Sequence, residues 1–106
     1  MELDSVGEVI ATRELELMSA GEAPQMVQVT MGKPHQLPEH TDYYCPYEVK
    51  GSGFRKVRYA CGIDAFQALQ LALQAISVEL EVLNKELNGR LRWECGREGD
   101  FGFPDS

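Results

Sequence analysis

The chain has 106 residues, a formal charge of −7 and 43% hydrophobic residues, which is room for one small domain spanning residues 1–106 and not for two of ordinary size. A pI near 4.7 with only ten Lys and Arg argues against nucleic acid as a partner, because a basic face is needed to displace counterions. The same negative field opposes docking on anionic membrane surfaces.

Residues 1–7 have no periodicity and, like the extreme C-terminus, are expected to be frayed. The start, Met1-Glu2-Leu3-Asp4-Ser5, has neither the basic nor the apolar region of a secretory leader, so the expected compartment is the cytoplasm. From Ala11 the chain alternates, with Ala11, Arg13, Leu15 and Leu17 on one face and Thr12, Glu14 and Glu16 on the other. A Gly/Pro loop at 20–24 precedes a second alternating run with Val27, Val29 and Met31 inward, which predicts a hairpin. Residues 32–41 hold two prolines and read as an exposed connection.

The next run places Tyr43, Cys45, Tyr47 and Val49 inward, and Pro46 must face an edge or a bulge because it cannot donate to a ladder. Gly51-Ser52-Gly53 is read as the turn into Phe54–Cys61, with Val57, Tyr59 and Cys61 inward and Lys56, Arg58 and Ala60 outward. Gly62 then leads to Asp64, an N-cap residue with Gln67 three positions later, and a helix is predicted over about 64–88 with Gly89 as its left-handed terminator. A short fifth strand at 90–94 would place Leu91 and Trp93 inward. The fold class is therefore α+β, a four- to five-stranded antiparallel meander with one long helix packed on one face.

The helix carries more apolar surface than one sheet requires. Phe66, Leu69, Leu73, Ile76, Leu80, Leu83 and Leu87 form the sheet-facing stripe, and Gln70, Gln74, Ser77, Glu81 and Asn84 the polar one. A second apolar arc, Leu71, Ala75, Val78 and Val82, widens the apolar surface to roughly 220°, against about 100° for packing on a sheet. Two covers are considered for it: the chain's own end, through Trp93, Phe101 and Phe103, or a second copy in a homodimer. Regularly spaced Gln67, Gln70, Gln74, Glu79 and Glu81 argue against a membrane span.

The one grouping with metal or nucleophile character is His35, Glu39, His40, Asp42 and Cys45, but its spacing matches no common zinc site and its loop is irregular. Cys45, Cys61 and Cys95 are odd in number and lack C-x-x-C spacing, so reduced free thiols are expected, with Cys45 and Cys61 on one face of neighbouring strands. Gly51-Ser52-Gly53 opens no helix and is not a phosphate loop. No catalytic set and no cofactor site stands out. The expected function is that of a small protein-interaction or accessory domain, inhibitor- or immunity-like in its size and acidity. The alternative is a small enzyme or metal-dependent factor built on the His35–Cys45 loop. The partner expected is another protein or a second copy of the chain, through Leu71, Ala75, Val78 and Val82.

Cys45-Pro46-Tyr47, Gly62-Ile63-Asp64-Ala65-Phe66-Gln67-Ala68-Leu69, Gly89-Arg90-Leu91-Arg92-Trp93 and Gly102-Phe103-Pro104 together resemble a small bacterial family, a domain of unknown function of about this length. The likeness spans roughly residues 8–104. It departs at Cys61, where the resemblance implies a tyrosine, and it implies no activity or site residue.

Overall fold

The structure, a computed structural model, describes residues 1–104; the C-terminal end expected to be frayed includes Asp105 and Ser106, which lie outside the described residues. Six strands and one helix follow in the order β1 (Val9–Leu17), β2 (Gln25–Gly32), β3 (His35–Gln36), β4 (Tyr43–Gly51), β5 (Phe54–Gly62), α1 (Ala65–Glu86) and β6 (Leu91–Arg92). All pairings are antiparallel, and β1, β2, β4 and β5 form the meander. β6 adds to the free edge of β1, pairing Leu17 with Leu91. The expected α+β architecture is present, with one strand more than its upper count. That strand is β3, inside the segment read as an irregular connection: His35 pairs with Tyr44 and Gln36 with Tyr43.

β3 continues the line of β2 along β4. The β2 ladder ends at Met31 opposite Tyr47 and the β3 ladder begins at His35 opposite Tyr44. Pro46 falls opposite the break between them, where a missing N–H removes no ladder bond.

Three strands have the expected phase. Leu15 and Leu17, then Val27, Val29 and Met31, then Cys45, Tyr47 and Val49 are buried on the helix-facing side. β5 has the opposite phase. Gly51 pairs with Phe54, so the turn is Ser52-Gly53 alone, with Gly53 at φ 83°. A three-residue turn would have placed Val57, Tyr59 and Cys61 inward; shortening it by one residue moves every side chain to the other face. Cys45, Tyr47 and Val49 thus face Ala60, Arg58 and Lys56. Lys56 and Arg58 rise beside the helix and bracket Glu79 at 3.9 and 3.8 Å.

The outer face carries the N-terminal residues. Val6 is buried, its carbonyl sits over Gly32 beside the Pro46 ring, and Arg55 Nη2 donates to the Asp4 carbonyl at 2.6 Å.

The helix begins as its sequence requires. Asp64 Oδ1 accepts from the Gln67 amide at 2.8 Å and Gln67 Oε1 accepts from the Ile63 amide at 2.7 Å, a reciprocal cap. At the other end the terminator is Asn88 rather than Gly89: Asn88, at φ 58°, donates to Lys85 O and Gly89 donates to Asn84 O, the two bonds of a Schellman motif. Ala68, Ala72, Ile76, Leu80 and Leu83 are the buried helix residues, whereas Phe66, expected in the sheet-facing stripe, is 80% exposed. The expected stripe is displaced toward the small residues Ala68 and Ala72, which let the helix approach β5 closely. Over eighteen residues the helix has a mean hydropathy of 1.2, long and apolar enough by those measures to cross a membrane; here Ile76 and Leu80 are fully buried against the sheet.

Gly62 sets that approach. A Cβ there would collide with the backbone of Gln67 and Ala68, atoms that cannot move without unwinding the first helical turn. Gly62→Ala is expected to destabilise the fold by about 1–3 kcal/mol, measured as a lower urea midpoint. An unchanged midpoint would refute this account of the strand–helix junction.

Candidate functional site

The helix packs on β4 and β5, and the C-terminal segment lies toward the remaining inner face, over β1. One side chain organises that segment. Arg13 rises from the inner face of β1, and its guanidinium carbon lies 4.2 Å from the centroid of the Trp93 ring and 4.7 Å from that of Phe103. Its Nη1 donates to the Phe101 carbonyl at 3.0 Å. Gly102, at φ 79°, lies so close to the indole and to Arg13 that a Cβ there would strike both. Phe101 is buried, and Trp93 and Phe103 pack against the same core. The arrangement is an arginine between two aromatic rings, a geometry that a planar cation suits better than an ammonium does.

Among the described residues, no carboxylate oxygen lies within 4 Å of Arg13. None of its nitrogens is both buried and without a partner, so the donors that Phe101 does not take reach solvent or the adjoining cleft. That cleft encloses about 250 Å³ and is walled by Val29, Met31, Leu73, Ile76 and Phe103, with Arg13 and Thr12 as its polar members. A second hollow of about 650 Å³, between the helix and the tail, is lined by Ser77, Glu81, Asp100 and Phe101 among others. The tail therefore runs along the flank of the helix that presents Ser77 and Glu81.

The second apolar arc lies mainly on the other flank. Leu71, Val78 and Val82 are 38%, 42% and 46% exposed, and Ala75 is half-buried against the core. Pro104 shares a shallow hollow with Leu71. The described tail otherwise covers the polar stripe, contrary to the expectation that Trp93, Phe101 and Phe103 fold over this arc. Those aromatics go to Arg13 instead.

The sequence profile of a family described as a domain of unknown function, DUF6968, matches residues 11–105. The chain belongs to that family. No curated protein and no solved structure matches it. The DUF6968 match takes in Arg13, Trp93, Phe101 and Phe103, so all four side chains of the clamp belong to the family domain.

The other residues singled out from the sequence are not brought together. His35 is exposed on β3 beside Tyr44, with ring centroids 5.8 Å apart. Tyr44 in turn meets Tyr59 edge-on at 6.1 Å. His40 is exposed in the following turn. Cys45 is buried on the opposite face of the sheet from His35 and Tyr44. Among the described residues, no group of three or more His, Cys, Asp or Glu could hold a metal ion. Arg13 is the residue that reading the sequence for chemistry missed. Its signal was an arginine in phase with Leu15 and Leu17 on an apolar face.

All three thiols are free. Cys45 pairs with Ala60 and Cys61 with Tyr44, so Cys45 and Cys61 stand on opposite faces rather than on the same one. Burial pushes the Cys45 thiol up from 9.0 to about 11. The neighbouring Tyr47 phenol is also raised, by burial first and by Glu79 next, with Arg58 opposing. A thiol whose pKa is higher folded than unfolded stabilises the fold fully below about pH 9, and that contribution is lost as pH rises to about 11. At pH 8 a disulfide reagent is expected to label Cys61 and Cys95 quickly and Cys45 only on unfolding. Between pH 9 and 11 the stability of Cys45→Ala should fall less steeply than that of the unaltered chain. Rapid labelling of all three thiols would contradict this placement.

Proposed function

We propose that this chain is a small protein-interaction module of the bacterial cytoplasm that pairs with a second copy of itself through the outer face of its helix. The observation that carries this reading is the exposed strip Leu71, Val78 and Val82, one apolar side of a helix whose opposite side builds the core. A contiguous apolar strip of this kind on a small acidic domain marks an association surface. The strip is self-complementary. In a two-fold contact between antiparallel helices, Leu71 faces Val82 and Ala75 faces Val78. In that register Glu79 falls opposite Gln74 and Glu86 opposite Gln67, so no glutamate is placed opposite another despite the net charge of each copy. The half-buried Ala75 at the centre permits close approach of the two helices.

A second reading, an inhibitor- or immunity-like domain that neutralises a basic partner, is favoured by the charge of −7. It would use the same strip, bordered by the exposed Glu86.

Light scattering at about 100 µM separates the readings by mass. Self-association predicts roughly twice the 11.9 kDa of one chain. Val78→Glu should then return the mass to a single chain with its helical circular dichroism intact, because Val78 is exposed and outside the core cluster. A single-chain mass for the unaltered protein across all concentrations overturns the self-association reading.

A further inference from the structure

We infer that the cleft between α1, the inner face of β1–β2 and the tail is a binding site for a small amphiphilic carboxylate, with Arg13 holding the carboxylate. Three observations carry the inference, and none depends on the helix's outer strip.

The first is the state of Arg13. A half-buried guanidinium is costly to desolvate, and proteins ordinarily offset that cost with a carboxylate. Here two aromatic faces and one carbonyl surround it, and among the described residues no carboxylate lies within 4 Å. Both rings lie within cation–π distance of the guanidinium and Nη1 is held by the Phe101 carbonyl. The donors that Phe101 does not take are not buried without a partner, and a guanidinium edge left open in this way is the group that a carboxylate accepts in bidentate fashion.

The second is what adjoins that edge. The walls of the cleft are Val29, Met31, Leu73, Ile76 and Phe103, while Arg13 is its one charged member. A site with one cation and an apolar body selects a molecule with one anion and an apolar body. Pockets for drug-sized ligands start at about 300 Å³, and this one encloses about 250 Å³, so the ligand is smaller than that class. Glu81 and Asp100 line the neighbouring hollow between helix and tail, where they repel an anion and favour its placement at Arg13.

The third is how the cleft is closed. One wall is Gly102-Phe103-Pro104, a short segment that contacts Arg13 and Trp93. A carboxylate engaging Arg13 therefore contacts the same group that holds the tail, and occupation of the cleft reports directly on Trp93, the one tryptophan of the chain.

Octanoate is the probe, titrated at pH 7.5 and followed by Trp93 fluorescence and by calorimetry. Saturable one-to-one binding is expected, with octanol and octylammonium each weaker by roughly tenfold or more, the worth of a charge-assisted hydrogen bond in a partly dry site. Arg13→Gln should abolish the preference for octanoate over octanol. Leu73→Trp, which fills the cleft and leaves Arg13 in place, should abolish binding of both. Absence of saturable octanoate binding overturns the inference, as does equal or tighter binding of octanol or octylammonium. Unchanged octanoate binding by Leu73→Trp also overturns it, by placing the ligand elsewhere. Should Arg13→Gln fail to fold, the headgroup series on the unaltered chain and the Leu73 variant still decide the question.

Discussion

The rest of the molecule depends on how little chain separates β5 from the helix. Only Ile63 and Asp64 stand between the end of β5 at Gly62 and the start of α1 at Ala65. A link that short cannot carry the helix to the middle of the sheet. The helix must fold straight back over the strand it has just left, which is possible because Gly62 offers no side chain to the turn above it. It therefore lies on β4 and β5, with Ala68 and Ala72 sealing the closest part of the contact. Lys56 and Arg58 on β5 reach up to Glu79. Those pairs are partly exposed and add little energy, but they let two charged residues occupy the helix-facing side of an edge strand without being stranded there.

An offset helix leaves the inner face of β1 and β2 short of cover, and the C-terminal segment makes up part of the deficit. Segments without secondary structure dock poorly on apolar surfaces, because their backbone polar groups must be satisfied as well. Arg13 resolves this by joining both tasks. It stacks on Trp93 and Phe103 and takes the Phe101 carbonyl, so one side chain anchors both rings and a backbone acceptor. Each cation–π contact is worth about 0.5–2 kcal/mol according to its exposure. Together with burial of Phe101 that is enough to hold a short segment. It is not enough to fill the space beneath, and a cleft remains between Leu73 and Ile76 on the helix and Val29 and Met31 on the sheet.

Much of this was legible from residue patterns, and the errors have separable causes. The phases of β1, β2 and β4 follow from alternation, since each strand has its large apolar set on one face and the irregularity between Val9 and Ala11 precedes the alternating part of β1. β5 differs because alternation cannot decide which of two apolar sets faces inward when both exist. Phe54 and Ala60 form one set and Val57 and Tyr59 the other, and the length of the turn chooses between them. The misplacement of Cys61 and of the Lys56/Arg58 face follows from that one residue. β3 was invisible because two residues have no period. The N-terminal segment shows none either, yet Val6 lies buried on the sheet's outer face, where Pro46 and Gly32 leave a shallow seat. Phe66 has an inward angle on a helical wheel but is exposed, because the helix start lies near the edge of the sheet. Arg13 was correctly placed on the apolar face, but its meaning depends on Trp93 and Phe103, about eighty to ninety residues later in the chain.

The two flanks of the helix also separate what the monomer explains from what it does not. On one flank Ser77 and Glu81 face the tail across an open hollow, and polar residues there suit a gap that water fills. On the other, Leu71, Val78 and Val82 face outward. If tail cover were the reason for the extra apolar width of the helix, the apolar residues would stand on the tail's flank and the polar ones opposite. The arrangement is the reverse. Phe101 and Phe103 are consumed at Arg13, so among the described residues no aromatic is left to turn toward the strip. Burying a Leu or Val fully is worth about 1.5–3 kcal/mol, and folding of the single chain leaves much of that unrealised at three adjacent positions. Among the described residues, the fold of the single chain therefore buries less of the helix's apolar surface than the helix presents.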